Sequence, residues 1–209
     1  MRKNIGLMSS ANPKNKLRKI RIMDALENII NRQSSRFLDE PIPDREQLHK
    51  IYQAALRAPD HANLKPSHFI EVSGIGLRTL SDVFVTYAKK HIENISAEKL
   101  EKYKKAPFRA PLIIILVCET QSHKMVPPLE QLLSTAAAGQ NILLALNAMN
   151  FAAIWRTGVF AFNPKIGSML GLTKDQQIIG YLYIGTSKEK KREISDIDIN
   201  DYVRKLKKL

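Results

Sequence analysis

The stretch APFRAPLIIILVCE, Ala106–Glu119, joins a proline-bracketed break to a run that is apolar from Leu112 to Cys118. A run of that length has the reach of a strand, and its lack of alternation means that both faces are covered. It therefore reads as a central strand that needs packing on two sides. Upstream, HFIEVS (68–73) alternates as a strand, GIGLRTLSDVFVTYAKKH (74–91) returns to helical spacing, and the charged ENISAEKLEKYKKAP (93–107) reads as an exposed helix. Earlier still, PIPDREQLHKIYQAALR (41–57) announces a helix with Asp44 as N-cap and Gln47 as its capping-box partner. Its apolar face is Leu48, Ile51, Ala54 and Ala55. Residues 24–32 form a first helix capped by Asp24, with Ala25, Leu26, Ile29 and Ile30 on one face.

Downstream, Pro128–Asn150 is the longest helix, apolar on more than one side, with small residues from Ser134 to Gly139 that suit close packing, preferentially across a dimer. FAAIWRTG (151–158) gives a short strand. NPKIGSMLGL (163–172) is a helix capped by Asn163 with Pro164 first, and QIIGYLYIGTS (177–187) is the last strand. Interspersed helices and strands place the class at α/β or α+β around a small sheet.

The 209 residues, 44% hydrophobic, suit one domain. No apolar run is long enough to cross a membrane, and the single Cys118 cannot form an intrachain disulfide, which points to a reducing, cytoplasmic setting. The net charge of +13 sits mostly at the ends: residues 1–22 carry +7 and residues 188–209 carry +3. That distribution favours solvated tails over a nucleic-acid-reading surface, although a polyanion-binding protein stays as an alternative. MDALENIINR from Met23 looks like a natural beginning. The division expected is a basic extension over 1–22, with organelle targeting as a lesser reading, and a domain over 23–209 whose basic tail starts near 188.

The five histidines and one cysteine make no ligand spacing for a transition metal. No serine nucleophile elbow is present, and Gly74 and Gly76 lack the third glycine of a dinucleotide fingerprint and read as a turn. Cys118, inside the apolar strand, reads as an inert thiol. Three polar clusters remain at element ends: NRQSSRF (31–37), RAPDHANLKP (57–66) and WRTG (155–158). Arg32, Arg36, Arg57 and Arg156 could together hold a phosphate or an electron-rich ring, since guanidinium donates in a fixed fork and keeps its charge. Any one of them taken alone reads more readily as satisfying a loop carbonyl or a surface carboxylate.

The order of these clusters is more informative than any one. A first helix ending in Arg-x-Ser with a further Arg, an AP-x-x-x-N-x-x-P loop, an apolar strand, a long small-residue helix and a W-R-T-G turn resemble the FMN-dependent nitroreductase family. RAPDHANLKPSHF, APFRAPLIIILV, IWRTG and IGYLYIGT are similar to its short YdjA-type branch of NAD(P)H nitroreductases, over residues 23 to about 187. The resemblance implies a homodimeric α+β fold, a mostly antiparallel sheet flanked by helices, and two FMN sites at the subunit interface. It implies that Arg32, Gln33 and Ser34 hold the ribityl phosphate and flavin, that Arg57 and His61 reach the cofactor from the partner chain, and that Trp155, Arg156 and Thr157 form a second flavin-contacting turn. For His61 a loop-bonded role stays open. The implied activity is ping-pong transfer from NADH or NADPH to a small acceptor such as a nitroaromatic or quinone. The flavin carries the chemistry and no side chain is an obligate acid or base. Dehydrogenation, dehalogenation or flavin fragmentation on the same fold is the alternative.

Three positions depart from the family pattern. Gln33 replaces a second Arg and removes a charge near the phosphate, Ser67 stands where a Trp often follows the loop proline, and Lys65 replaces a common Gln. A phosphate contact from Lys188–Arg192 is conceivable and is not among the expected site residues.

Overall fold

The computed structural model describes residues 24–190 and 192–206. The expected extension over 1–22, and Met23 as its boundary, lie outside the described residues. The order is α1 (Ala25–Asn31), α2 (Arg45–Ala55), β1 (Ser67–Ser73), α3 (Ile75–His91), α4 (Ala97–Lys105), β2 (Leu112–Glu119), α5 (Pro128–Ala148), β3 (Ala152–Arg156), α6 (Pro164–Met169) and β4 (Gln176–Gly185).

The strands form one antiparallel sheet in the order β1-β2-β4-β3. Every residue of β2 from Leu112 to Cys118 is buried, as the unbroken apolar run requires. Alternation divides its side chains between two cores. Ile113, Ile115 and Val117 join Tyr181 and Tyr183 under α3, α4 and α6, whereas Leu112, Ile114 and Leu116 join Leu182 and Ile184 under α2 and α5. The sheet is thus covered by helices on both faces.

Local chemistry sets the ends of these elements. Asp24 accepts from the Leu26 and Glu27 amides, and Asp44 and Gln47 close their capping box at 2.9 Å in each direction. Asn163 caps α6 through the Lys165 amide. Of the Gly74–Gly76 pair, only Gly74 is the turn, with φ +52, and Gly76 lies inside α3.

In α5, Ser134, Thr135, Ala138 and Gly139 are buried within this chain, whereas Ala136 and Ala137 stay half-buried. A Cβ on Gly139 would stand 2.6 Å from both Leu116 and Trp155, and one on Gly180 of β4 would collide with the same indole. The two missing side chains make the slot that holds Trp155, and the β2–β4 register shift falls beside Gly180, between Leu116 and Val117. α1 is amphipathic as read, but its apolar face is uncovered: Leu26, Ile29 and Ile30 are 67%, 51% and 63% exposed.

Candidate functional site

The first polar cluster is placed by the edge of the sheet. Ser34 bridges Ala153 of β3, and the Ser35 amide donates to the Ala153 carbonyl at 3.1 Å. This pairing lays Gln33–Ser35 alongside the strand that ends in Trp155, Arg156 and Thr157, so two of the three clusters share one edge. The first of them borders a cavity of about 410 Å³ that includes Gln33, Ser34, Arg36, Glu189, Lys190 and Arg192; Arg32 and the Trp155–Thr157 turn are not part of its lining. Ser35 is occupied internally by Ser187 and Glu189, whereas the Ser34 hydroxyl and the Arg32 and Arg36 guanidinium groups have no partner among the described residues. Unpaired cations around a hydroxyl donor suit a phosphate dianion.

Gln33 does more than omit a charge. Its amide nitrogen donates to the Arg192 carbonyl at 2.6 Å and its amide oxygen accepts from the Arg192 N–H at 3.0 Å, so one side chain clamps the tail backbone in both directions. The Arg192 guanidinium in turn reaches the Ser34 carbonyl at 3.4 Å. The tail thereby brings Lys190 and Arg192 to the cavity. The basic run 188–192 is visible in the sequence, but which of its members reach the cavity is not, because the clamp spans 159 positions of chain.

Arg156 and Trp155 point to opposite faces of β3 by strand alternation. The Trp155 ring is walled by Gly139 and Gly180, while the Arg156 guanidinium lies 5.5 Å from the centroid of the Tyr183 ring on the α3 and α4 side. Burial first, then the neighbouring charges of Arg109 and Arg36, pull the Arg156 pKa down, with Tyr183 opposing. Its Nε is buried with no partner among the described residues, a deficit of about 1–3 kcal/mol for a polar group. Burial pushes Tyr183 up to about 12 against the opposing pull of Arg109 and Arg156. Cys118 is fully buried and burial raises its thiol pKa, so it stays protonated and inert.

The third cluster lies elsewhere. His61 Nδ1 stands 2.7 Å from Glu130 Oε2 near the start of α5, whereas Asn28 of α1 donates to the Leu144 carbonyl near its end. Those anchor points are fourteen residues apart, about 21 Å along a helix. Arg57 is exposed beyond α2, whose Ala54 carbonyl accepts from Asn141 at 3.1 Å. Neither Arg57 nor His61 lines the cavity beside β3. The loop that carries them is strained and pinned just after His61: Ala62, Asn63 and Lys65 have φ of 60, 55 and 54, and the Asp60 carboxylate accepts from the Leu64 and Lys65 amides at 3.1 and 2.7 Å. Ser67, at the position of the family Trp, donates to Thr135 at 3.3 Å.

A sequence model of the Nitroreductase family matches residues 29–186. The chain belongs to the nitroreductase family. Nitroreductases are oxidoreductases, and so is this chain. Its relatives include YdjA of Escherichia coli (strain K12), in name a provisional NAD(P)H nitroreductase, at 40% identity over 78% of this chain and 88% of YdjA. A Haemophilus influenzae relative of the same provisional name is 34% identical over 87% of this chain and 98% of its own. A nitroreductase-like protein from Bacillus cereus superposes with a TM-score of 0.75 at 20% identity, covering 96% of this chain and 99% of that one. A variant of NfnB, an FMN and NADPH-dependent nitroreductase from Sphigopyxis sp. strain HMH, gives 0.69 at 21% identity over 87% and 98%. The nitroreductase fold and the antiparallel α+β sheet are thus as expected. Among the described residues no helix is long and apolar enough to cross a membrane, and no group of three or more His, Cys, Asp or Glu could hold a metal.

Proposed function

We propose that the protein is a homodimeric, FMN-dependent NAD(P)H oxidoreductase that reduces small electrophilic acceptors such as quinones and nitroaromatics. The observation that carries this reading is the parallel Ser34–Ala153 pairing, which runs Ser34–Arg36 along β3 toward the Trp155–Thr157 turn and sets this cluster beside a cavity bordered by Ser34, Arg36, Lys190 and Arg192. The donor set fits the cofactor. Arg32, with Arg36, Lys190 and Arg192, would hold the phosphate, Gln33 would fix the tail, and Ser34 would donate its free hydroxyl. Trp155 would give a rigid wall and Arg156 and Thr157 would lie beside the ring. When bound, FMN supplies the two-electron relay between nicotinamide and acceptor, so that NAD(P)H, a proton and a quinone yield NAD(P)⁺ and a quinol. The chain's own residues bind and orient, and none need exchange a proton.

Arg57 and His61 would act from the second copy. Their distance from the β3 edge along α5 supports this, as do the uncovered Leu26, Ile29 and Ile30 of α1 and Leu129 and Leu133 of α5, the last two 64% and 60% exposed. The test is an anaerobic absorption experiment on protein incubated with FMN. A retained flavin spectrum that bleaches on adding NADH or NADPH, and recovers with a quinone, is the expected result. No retained flavin at excess FMN, or no bleaching with either nicotinamide, would overturn the reading.

A further inference from the structure

A second cavity, of about 430 Å³, opens at the end of β3 on the face turned toward α3 and α4. Lys102, Arg109 and Arg156 border it, no Asp or Glu does, and none of the three has an ion-pair partner among the described residues. Its other walls are aromatic: Phe84 stacks on Phe160 with centroids 3.8 Å apart, and Tyr103 meets Phe160 edge-on at 4.8 Å. Arg156 Nε is buried there without an acceptor. Like charges gathered on an apolar wall are stabilised by a counter-charge, and the described residues provide none here.

We propose that this cavity is a subsite for a planar aromatic acceptor bearing a carboxylate, with Arg109 and Arg156 taking the carboxylate and the aromatic walls taking the ring. Two guanidinium forks match the two coplanar oxygens of a carboxylate, and flat rings stack on flat walls. The cavity shares Trp155, Arg156 and Thr157 with the turn assigned to the flavin, so a bound ring would lie next to the cofactor. The acceptor role rests on the reductase reading, while the binding preference does not.

The test is calorimetric titration of the full-length protein, with and without saturating FMN, using 4-nitrobenzoate and nitrobenzene as probes. The expected result is at least about tenfold tighter binding of 4-nitrobenzoate, the size of a charge-assisted pair. Arg109→Ala should abolish that preference and Arg109→Lys should keep part of it, with FMN affinity unchanged in both. Equal binding of the two probes, or a preference that survives Arg109→Ala, would overturn the inference. So would displacement of 4-nitrobenzoate by FMN, which would assign these cations to the flavin, or by inorganic phosphate at equal concentration, which would leave a bare anion site. Failure to take up FMN with the 4-nitrobenzoate preference intact would sink the reductase reading and leave the subsite standing.

Discussion

The β3 edge and the 57–66 loop carry similar polar residues but are built in opposite ways. At the edge the backbone is regular and the cations are unpaired, with Arg32 and Arg36 holding no partner among the described residues. In the loop the backbone has positive φ at three non-glycine residues, and it is pinned by Asp60 to the Leu64 and Lys65 amides, by His61 to Glu130 and by Gln121 to the Leu64 carbonyl, with Arg57 left exposed at its start. An electrostatically incomplete surface is suited to receive an anion. A pinned and strained loop is suited to present a fixed shape, since its ordering entropy has already been lost in folding. The contrast suggests a receiver and a lid that belong to different copies of the chain.

The largest expected effect comes from separating the copies. Ile30→Glu places a charge on the uncovered face of α1, and sedimentation should show association weakened by about 2 kcal/mol or more, with flavin lost in parallel. A variant that stays dimeric would move the interface elsewhere. Next is Arg32→Ala, expected to weaken FMN by about ten- to a hundredfold while leaving riboflavin, which lacks the phosphate, far less affected. Because Arg32 has no partner to lose, urea unfolding should stay within about 0.5 kcal/mol of the parent. Asp60→Ala should do the reverse, costing about 1–2 kcal/mol of stability by freeing the Leu64 and Lys65 amides.

The smallest effect is that of Gln33→Ala. It should weaken FMN by about three- to fivefold, the scale of one or two exposed hydrogen bonds, and speed tryptic cleavage near Lys190 and Arg192. Gln33→Arg should give no net gain, because the added charge replaces the clamp that delivers Arg192. An improvement in FMN affinity would restore the simpler view of Gln33 as a missing cation.

Most of the fold was legible because its signals are local. The Leu112–Cys118 run gave a fully buried strand, and the Asp44–Gln47 and Asn163–Pro164 pairs set two helix starts. Strand order was not legible, since pairing is decided by distant segments. The site was legible only in pieces. Arg109 and Arg156 are far apart in sequence, and only the end of β3 together with the Ala106–Arg109 turn brings them to one cavity, with Arg36 close enough for its charge to bear on Arg156. Gln33 looked like a lost charge because its partner is in the tail. In α5 Gly139 makes room for this chain's Leu116 and Trp155, a use that the run of small residues did not reveal.

The most direct test of the split site is complementation between Arg32→Ala and Arg57→Ala protomers. Each variant alone should be nearly empty at an FMN concentration that fills the parent. Co-expressed or refolded together, random pairing puts half the dimers in mixed form, each with one intact site, so about a quarter of the sites should regain flavin. Occupancy no higher than the average of the two variants would show that Arg32 and Arg57 act within one chain, and would contradict the division of the site between copies.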